Sequence, residues 1–326
     1  MSTYKELYGF RVEVVSSNPS NPLEGEVWYN STLGQLKGYV AGPSTWTSGG
    51  ALPTATIGLA AAGTTNSSIL AWGGSTPPGA ATTTSLLYNG TAWTATPSLG
   101  TAINYQSGSG TATAAISGSG GDPPTTASEK FDGSSWTNAG TMNTGRRHID
   151  GSGPQSAAFA AGGWEPGLSN KTEEYNGSSW SVGGTLNQAR YGISAAGTET
   201  AGLAMGGGTP ASPPAFNNVE EYNGSSWTNV TALPGATQYG IGYGPQTAAK
   251  QVSGYSGTAY LTTTFDYDGT SFTAAPAVAT GRQDGAGAGT DNTSGVVMGG
   301  YGPPGSATTA TEEFAKPIET RTLTTS

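Results

Sequence analysis

Cysteine is absent from the 326 residues, and histidine occurs once, at His148. The first absence excludes disulfides, thiolate metal centres and cysteine nucleophiles. The second leaves no set of imidazoles to hold a metal and few routes to a general base, so neither a metal nor another cofactor is expected. Charge is also scarce: 12 Lys and Arg face 21 Asp and Glu, a net of −9, with no basic block. Such a chain is a poor ligand for nucleic acid or an anionic membrane surface, and neither is expected as a partner. No stretch approaches the roughly eighteen apolar residues of a membrane-spanning helix. Residues 1–10 lack the basic-then-apolar order of a signal peptide. Aliphatic side chains are few, with 43 Leu, Ile, Val and Phe together. A fraction that low accompanies disorder when net charge is high, a condition this chain does not meet. In their place stand 53 Gly and the large rings of 8 Trp, 15 Tyr and 7 Phe.

Those rings recur. Tyr88-Asn89-Gly90-Thr91-Ala92-Trp93, Phe131-Asp132-Gly133-Ser134-Ser135-Trp136, Tyr175-Asn176-Gly177-Ser178-Ser179-Trp180, Tyr222-Asn223-Gly224-Ser225-Ser226-Trp227 and Tyr267-Asp268-Gly269-Thr270-Ser271-Phe272 are versions of one tract. With Trp46 they give six aromatic anchors, Trp46, Trp93, Trp136, Trp180, Trp227 and Phe272, separated by 47, 43, 44, 47 and 45 residues. Six residues after each anchor stands an apolar residue (Leu52, Leu99, Met142, Leu186, Leu233, Val278). Eleven further on stands a glycine, and ten beyond that another. All the length variation falls between the last glycine and the next anchor, in Pro-rich segments such as Thr76-Pro77-Pro78-Gly79 and Gly302-Pro303-Pro304-Gly305. A fixed frame with one variable segment reads as packed strands and one free loop. The Asn-Gly and Asp-Gly tracts read as hairpin turns. Four short strands in about 45 residues make one propeller blade.

The order of glycine pair, variable loop, Glu-Glu-Tyr, short turn, Trp, apolar residue and, in three copies, Arg (Arg146, Arg190, Arg282) resembles the kelch repeat over residues 41–316. The resemblance implies an all-β fold, a six-bladed kelch-like β-propeller of four-stranded antiparallel blades. Arg is missing from three copies, and Gly254 is followed by Tyr255 instead of a second Gly. The final unit ends at Thr311-Glu312-Glu313-Phe314 with no anchor tract after it, and Trp46 has no full blade before it. Pairing the two is expected to close the ring and leave no free sheet edge.

Residues 1–40 lie outside the repeat. Glu26-Val27-Trp28-Tyr29-Asn30 and Gln35-Leu36-Lys37-Gly38-Tyr39 alternate about Ser31-Thr32-Leu33-Gly34, a hairpin signature. The segment from Pro22 to Tyr39 resembles a short module of bacteriophage tail fibres and other virion proteins, particularly marine ones. That likeness implies an N-terminal docking arm or hairpin (1–40), a propeller (41–316) and a C-terminal tail (317–326), the tail either frayed or laid on a blade as an extra strand. It further implies a virion location, after synthesis in the bacterial host cytoplasm.

The Glu pairs 173–174, 220–221 and 312–313 suggest paired carboxylates. Their recurrence at one repeat position, on strand residues that face opposite ways, favours a structural role. Turn chemistry likewise accounts for the Asn-Gly-Ser-Ser tracts better than the Asp-box of sialidases does. The copper site of kelch-like oxidases needs Cys and two His and cannot be assembled. The dense polar cluster is Arg146, Arg147, His148 and Asp150. Arg146 belongs to the repeat, which leaves Arg147, His148 and Asp150 as candidate binding residues near an inner strand. The Pro-rich loops should share one face, where Trp164 and Phe216 are candidates for contact with a host surface glycan or protein. The expected function is that of a non-enzymatic virion structural protein, a tail-fibre or receptor-binding component. It would dock to other virion proteins through residues 1–40, with a homo-oligomer inside the particle as one arrangement. A capsid decoration protein is the alternative, and a glycan-degrading propeller enzyme the rival from another class.

Overall fold

The computed structural model describes residues 12–20, 25–77, 79–211 and 214–323. The chain divides into two compact units, Met1–Thr45 with Ala315–Ser326, and Trp46–Phe314.

In the terminal unit the expected hairpin forms: Val27–Asn30 pairs antiparallel with Gln35–Ala41, setting Val27 opposite Gly38 and Asn30 opposite Gln35. Asn30 Oδ1 accepts the Leu33 N–H across the turn at 3.0 Å. Glu13–Val15 adds in parallel on one side. On the other side Ile318–Thr322 pairs antiparallel with Gln35–Ala41, from Lys37 opposite Thr322 to Ala41 opposite Ile318. Trp28 is the buried centre of this sheet, and its Nε1–H donates to Asn18 Oδ1 at 3.3 Å. Ile318–Thr322 of the expected tail is therefore an ordered strand and is not laid on a repeat sheet. It covers the open edge of the N-terminal hairpin, whose unpaired N–H and C=O groups need a partner. The boundaries at 40 and 316 move accordingly. Part of the expected docking arm, residues 1–11 and 21–24, lies outside the described residues.

The second unit is all-β, in a propeller-like layout of four-stranded antiparallel sheets. The first sheet holds Ile57–Thr65, Ser68–Thr76, Ser85–Tyr88 and Trp93–Ala95, with Ala80–Ala81 beside its second strand. The second runs Ser107–Thr111, Ala114–Gly118, Ala127–Phe131 and Trp136–Thr141; the third, Asp150–Ser152, Ala158–Ala161, Thr172–Tyr175 and Trp180–Val182. The fourth holds Ser194–Thr198, Ala201–Met205, Val219–Tyr222 and Trp227–Asn229; the fifth, Ile241–Tyr243, Ala249–Val252, Thr264–Tyr267 and Phe272–Ala275. The sixth runs Ala286–Asp291, Ser294–Met298, Thr311–Ala315 and finally Thr45–Ser48, the strand that carries Trp46.

The core is split into six thin layers, each shared by successive sheets. One of them joins Tyr88 and Trp93 of the first sheet to Ala288, Val296 and Met298 of the sixth. Of the anchors, Trp93, Trp180 and Trp227 are buried, whereas Trp46, Trp136 and Phe272 are half-buried. The tyrosine that opens four of the five tracts is deeper than the anchor: Tyr88, Tyr175 and Tyr267 are 0% exposed and Tyr222 1%. The tracts themselves are four-residue loops, since Tyr175 pairs directly with Trp180. Only the glycine is left-handed there, Gly177 at φ +88°. Asn176 instead turns its Oδ1 onto the N–H groups of Ser178 and Ser179, at 3.0 and 2.9 Å.

The repeat arginines explain the first Glu of each pair. Arg146, Arg190 and Arg282 are fully buried and form ion pairs with Glu173, Glu220 and Glu312 of their own sheets. The second Glu serves the next sheet: Glu174 accepts from the Tyr222 hydroxyl, Glu221 from Tyr267 at 2.8 Å, and Glu313 from Tyr88.

Candidate functional site

The first strands of all six sheets line two cavities. The larger, of about 290 Å³, is walled by Gly, Ala, Ser, Thr and Pro with Tyr243, and has no charged lining residue. The smaller, of about 90 Å³, carries Tyr105, Gln106, His148, Asp150, Tyr239 and Asp284 among its lining residues.

The smaller cavity is built on one repeat position. Twelve residues after each anchor come Gly58, Tyr105, His148, Gly192, Tyr239 and Asp284. All six are left-handed, with φ between +49° and +61°. A head-to-tail set of backbone bonds holds them there. Tyr105 N–H donates to Gly58 O at 2.8 Å, Gly192 to His148 at 2.9 Å, Tyr239 to Gly192 at 2.6 Å, Asp284 to Tyr239 at 3.1 Å and Gly58 to Asp284 at 2.8 Å. Glycine takes this conformation freely, whereas a side chain there costs about 1–2 kcal/mol. Four positions nevertheless carry one. Where the residue is Gly, a neighbouring ring lies on it: a Cβ at Gly58 would stand 2.6 Å from the Tyr105 ring, and one at Gly192 2.6 Å from the Tyr239 ring.

His148 sits among these side chains. Its ring centroid is 4.1 Å from that of Tyr105, 5.2 Å from Tyr239 and 5.9 Å from Tyr191, and its Nδ1 is 3.6 Å from Asp284 Oδ1. Burial is the largest cause raising the phenol pKa values. Tyr105 is pushed up to about 12, with Asp284 adding and Arg147 opposing; Tyr239 is pushed up further, with the hydrogen bond it donates to Tyr191 adding. Both hydroxyls therefore remain protonated donors near neutral pH.

Asp150, deeper in the same cavity, accepts the N–H of Ala195 at 2.7 Å and of Gly151 at 2.8 Å. Burial pushes its carboxyl up to about 7, and those two bonds oppose the shift. A carboxyl whose folded pKa lies above its unfolded value holds its proton better when folded. Stability then falls as pH rises from about 4 to about 7. Asp150→Asn removes that titration, so its stability relative to the parent protein should rise between pH 5 and pH 8. Urea denaturation at the two pH values reads this directly, and a difference that does not change with pH contradicts it.

Five residues were singled out from the sequence as binding candidates. Arg147 pairs with Asp122, and its backbone bridges to Trp164. Trp164 is half-buried, with its ring 5.9 Å from that of Tyr191. His148 and Trp164 thus meet at Tyr191, with Arg147 beside Trp164, and Asp150 shares the cavity with His148. Phe216, half-buried in the loop of the fourth sheet, lines neither cavity. The bridges Arg147 to Trp164, Tyr191 to Gly208, Gln238 to Tyr255 and Gln283 to Tyr301 bring the variable loops beside this cavity. Tyr105, Tyr191, Tyr239 and Asp284 were missed as site residues. For Tyr105, Tyr239 and Asp284 the available signal was the shared position twelve after the anchor, obscured because its residue types differ, and Tyr191 stands one residue before that position.

No protein-family model and no curated protein sequence matches this chain. Among solved structures it is similar to one described as "Structure of YjhT", at 12% identity and a TM-score of 0.65, covering 84% of this chain and 99% of that one. YjhT is a β-propeller, and at this identity the likeness extends to the propeller-like layout alone.

Proposed function

We propose that this chain is a non-enzymatic bacteriophage virion protein, a tail-fibre or receptor-binding component. Its repeat unit is a six-bladed propeller closed by the Trp46 strand, and its loop face meets the host surface. Three contacts between the first and sixth sheets support closure, each repeating one made elsewhere in the unit: Tyr88 to Glu313, Trp93 Nε1 to Thr311 Oγ1 at 3.0 Å, and Gly58 N–H to Asp284 O. The observation that carries the virion reading is the Trp28-Tyr29-Asn30 hairpin, which resembles phage fibre modules and stands in a unit of its own with both chain ends. A docking function would place the attachment in that unit and leave the loop face free.

The terminal sheet includes Ile318–Thr322, so attachment should depend on both ends of the chain. Deleting residues 317–326, like deleting 1–40, is expected to abolish incorporation into particles while the repeat unit keeps its melting transition. Immunogold labelling and mass spectrometry of purified particles measure this. Normal incorporation of both truncations would remove the docking assignment, and dense labelling over the shell would make the protein a decoration protein.

A further inference from the structure

We propose that the mouth of the smaller cavity is a saccharide-binding site, formed by Tyr105, Tyr191, Tyr239 and Trp164 with His148 and Asp284. The proposal rests on the reading that the loop face meets a host surface, and it names the ligand class and the residues. Four observations carry it. The first is exposure: these aromatic rings are half-buried, whereas the tyrosines of the inter-sheet layers, such as Tyr88 and Tyr175, are 0% exposed. The second is backbone strain. Glycine suffices at this repeat position in the first and fourth sheets, yet Tyr105, His148, Tyr239 and Asp284 hold side chains there at φ +49° to +55°. Conformations of that kind persist where the side chain is needed.

The third observation is the chemistry of the rim. A sugar ring offers a C–H face to an aromatic ring and hydroxyls at its edge. The mouth offers aromatic faces, phenol donors, the Asp284 carboxylate and the His148 imidazole. Among the residues lining the cavity, the buried Gln106 Oε1 has no hydrogen-bond partner. The fourth is size. A cavity of about 90 Å³ holds roughly three waters at about 30 Å³ each, so a sugar must lie across the mouth, where the rings are, and cannot enter. The larger cavity has the room, but its one aromatic lining residue, Tyr243, is buried and no charged residue lines it. A quaternary ammonium ion would seek the same rings. His148, 4.1 Å from Tyr105 and 5.2 Å from Tyr239, already occupies the seat between them.

The test probes the purified full chain on an array of bacterial surface polysaccharides and defined oligosaccharides, then measures the affinity of the strongest ligand by calorimetry. Tyr239→Gly should weaken binding at least tenfold with an unchanged or higher Tm, because glycine accepts the left-handed backbone. Trp164→Ala should weaken the same ligand. Three results overturn the proposal: no array member bound, Tyr239→Gly binding as the parent does, or Tyr239→Gly melting several degrees lower, which would make the ring a packing plug. Binding of tetramethylammonium with no saccharide bound also overturns it. The array needs no particle. Saccharide binding by a chain absent from virions would defeat the virion reading alone, and a virion protein blind to the array would defeat this proposal alone.

Discussion

Arg190→Ala is expected to lower stability by about 3–5 kcal/mol, the range for removing one partner of a buried ion pair. Arg190 and Glu220 are both 0% exposed. The guanidinium also donates to Gln188 O at 3.2 Å and Ala204 O at 3.3 Å, while Glu220 Oε2 accepts the Asn187 N–H at 2.7 Å. Burial pulls the Arg190 pKa down and Glu220 opposes that pull, so the pair is held by mutual compensation. Alanine would leave an anion and two carbonyls without their partner. The chain itself indicates how the loss can be recovered. The fifth sheet has Thr237 and Phe265 at the two equivalent positions, and the first has Thr56 and Leu86. The second sheet has Ile103 but keeps Glu129, and there the carboxylate is half-buried and takes the N–H groups of Gly100 and Thr101. Arg190→Thr with Glu220→Phe should therefore recover much of what either single change loses. Guanidinium denaturation of the four proteins gives the coupling, and a single variant as stable as the parent would mean that water reaches Glu220.

The same internal comparison explains what the sequence made legible. The fixed offsets from six anchors corresponded to four-stranded sheets because each offset fills one place in an inter-sheet layer. The Glu pairs could be assigned to structure because they recurred, and their partners are the repeat arginines and the tyrosines of the next sheet. The terminal strand Ile318–Thr322 was not legible. Its pairing spans about 280 residues, and an edge strand with one partner needs no repeat signature. That the tyrosines lie deeper than the anchor tryptophans was not legible either, since residue type does not order two aromatic rings in one layer. At the site, His148 was found through its sequence neighbours Arg147 and Asp150, as a local polar cluster. What unites it with Tyr105, Tyr239 and Asp284 is a backbone conformation, and a pattern of residue types does not display φ.

Trp180→Ala should cost about 3–5 kcal/mol, the usual range for deleting a buried large aromatic side chain. Trp180 packs with Met142, Ile149 and Tyr175 in the layer between the second and third sheets, and its Nε1–H donates to Ser128 Oγ at 3.0 Å. That bond recurs around the unit. Trp136 donates to Ser85 at 3.3 Å and Trp227 to Thr172 at 2.9 Å. Where the anchor is Phe272, which has no N–H, the equivalent residue on the preceding sheet is Val219, which has no hydroxyl. Trp46 departs from the rule by donating to Pro276 O at 2.8 Å, and Thr264 Oγ1 opposite it is left without a partner. Packing and polar pairing can therefore be separated. Trp227→Phe keeps most of the ring and should cost about 1–3 kcal/mol, the penalty for polar groups stranded in the core. Adding Thr172→Val reproduces the Phe272 and Val219 pair and should return part of that loss. If the double variant is no more stable than Trp227→Phe alone, the matched residue types arise from something other than hydrogen-bond satisfaction, and the indole acts through its area only.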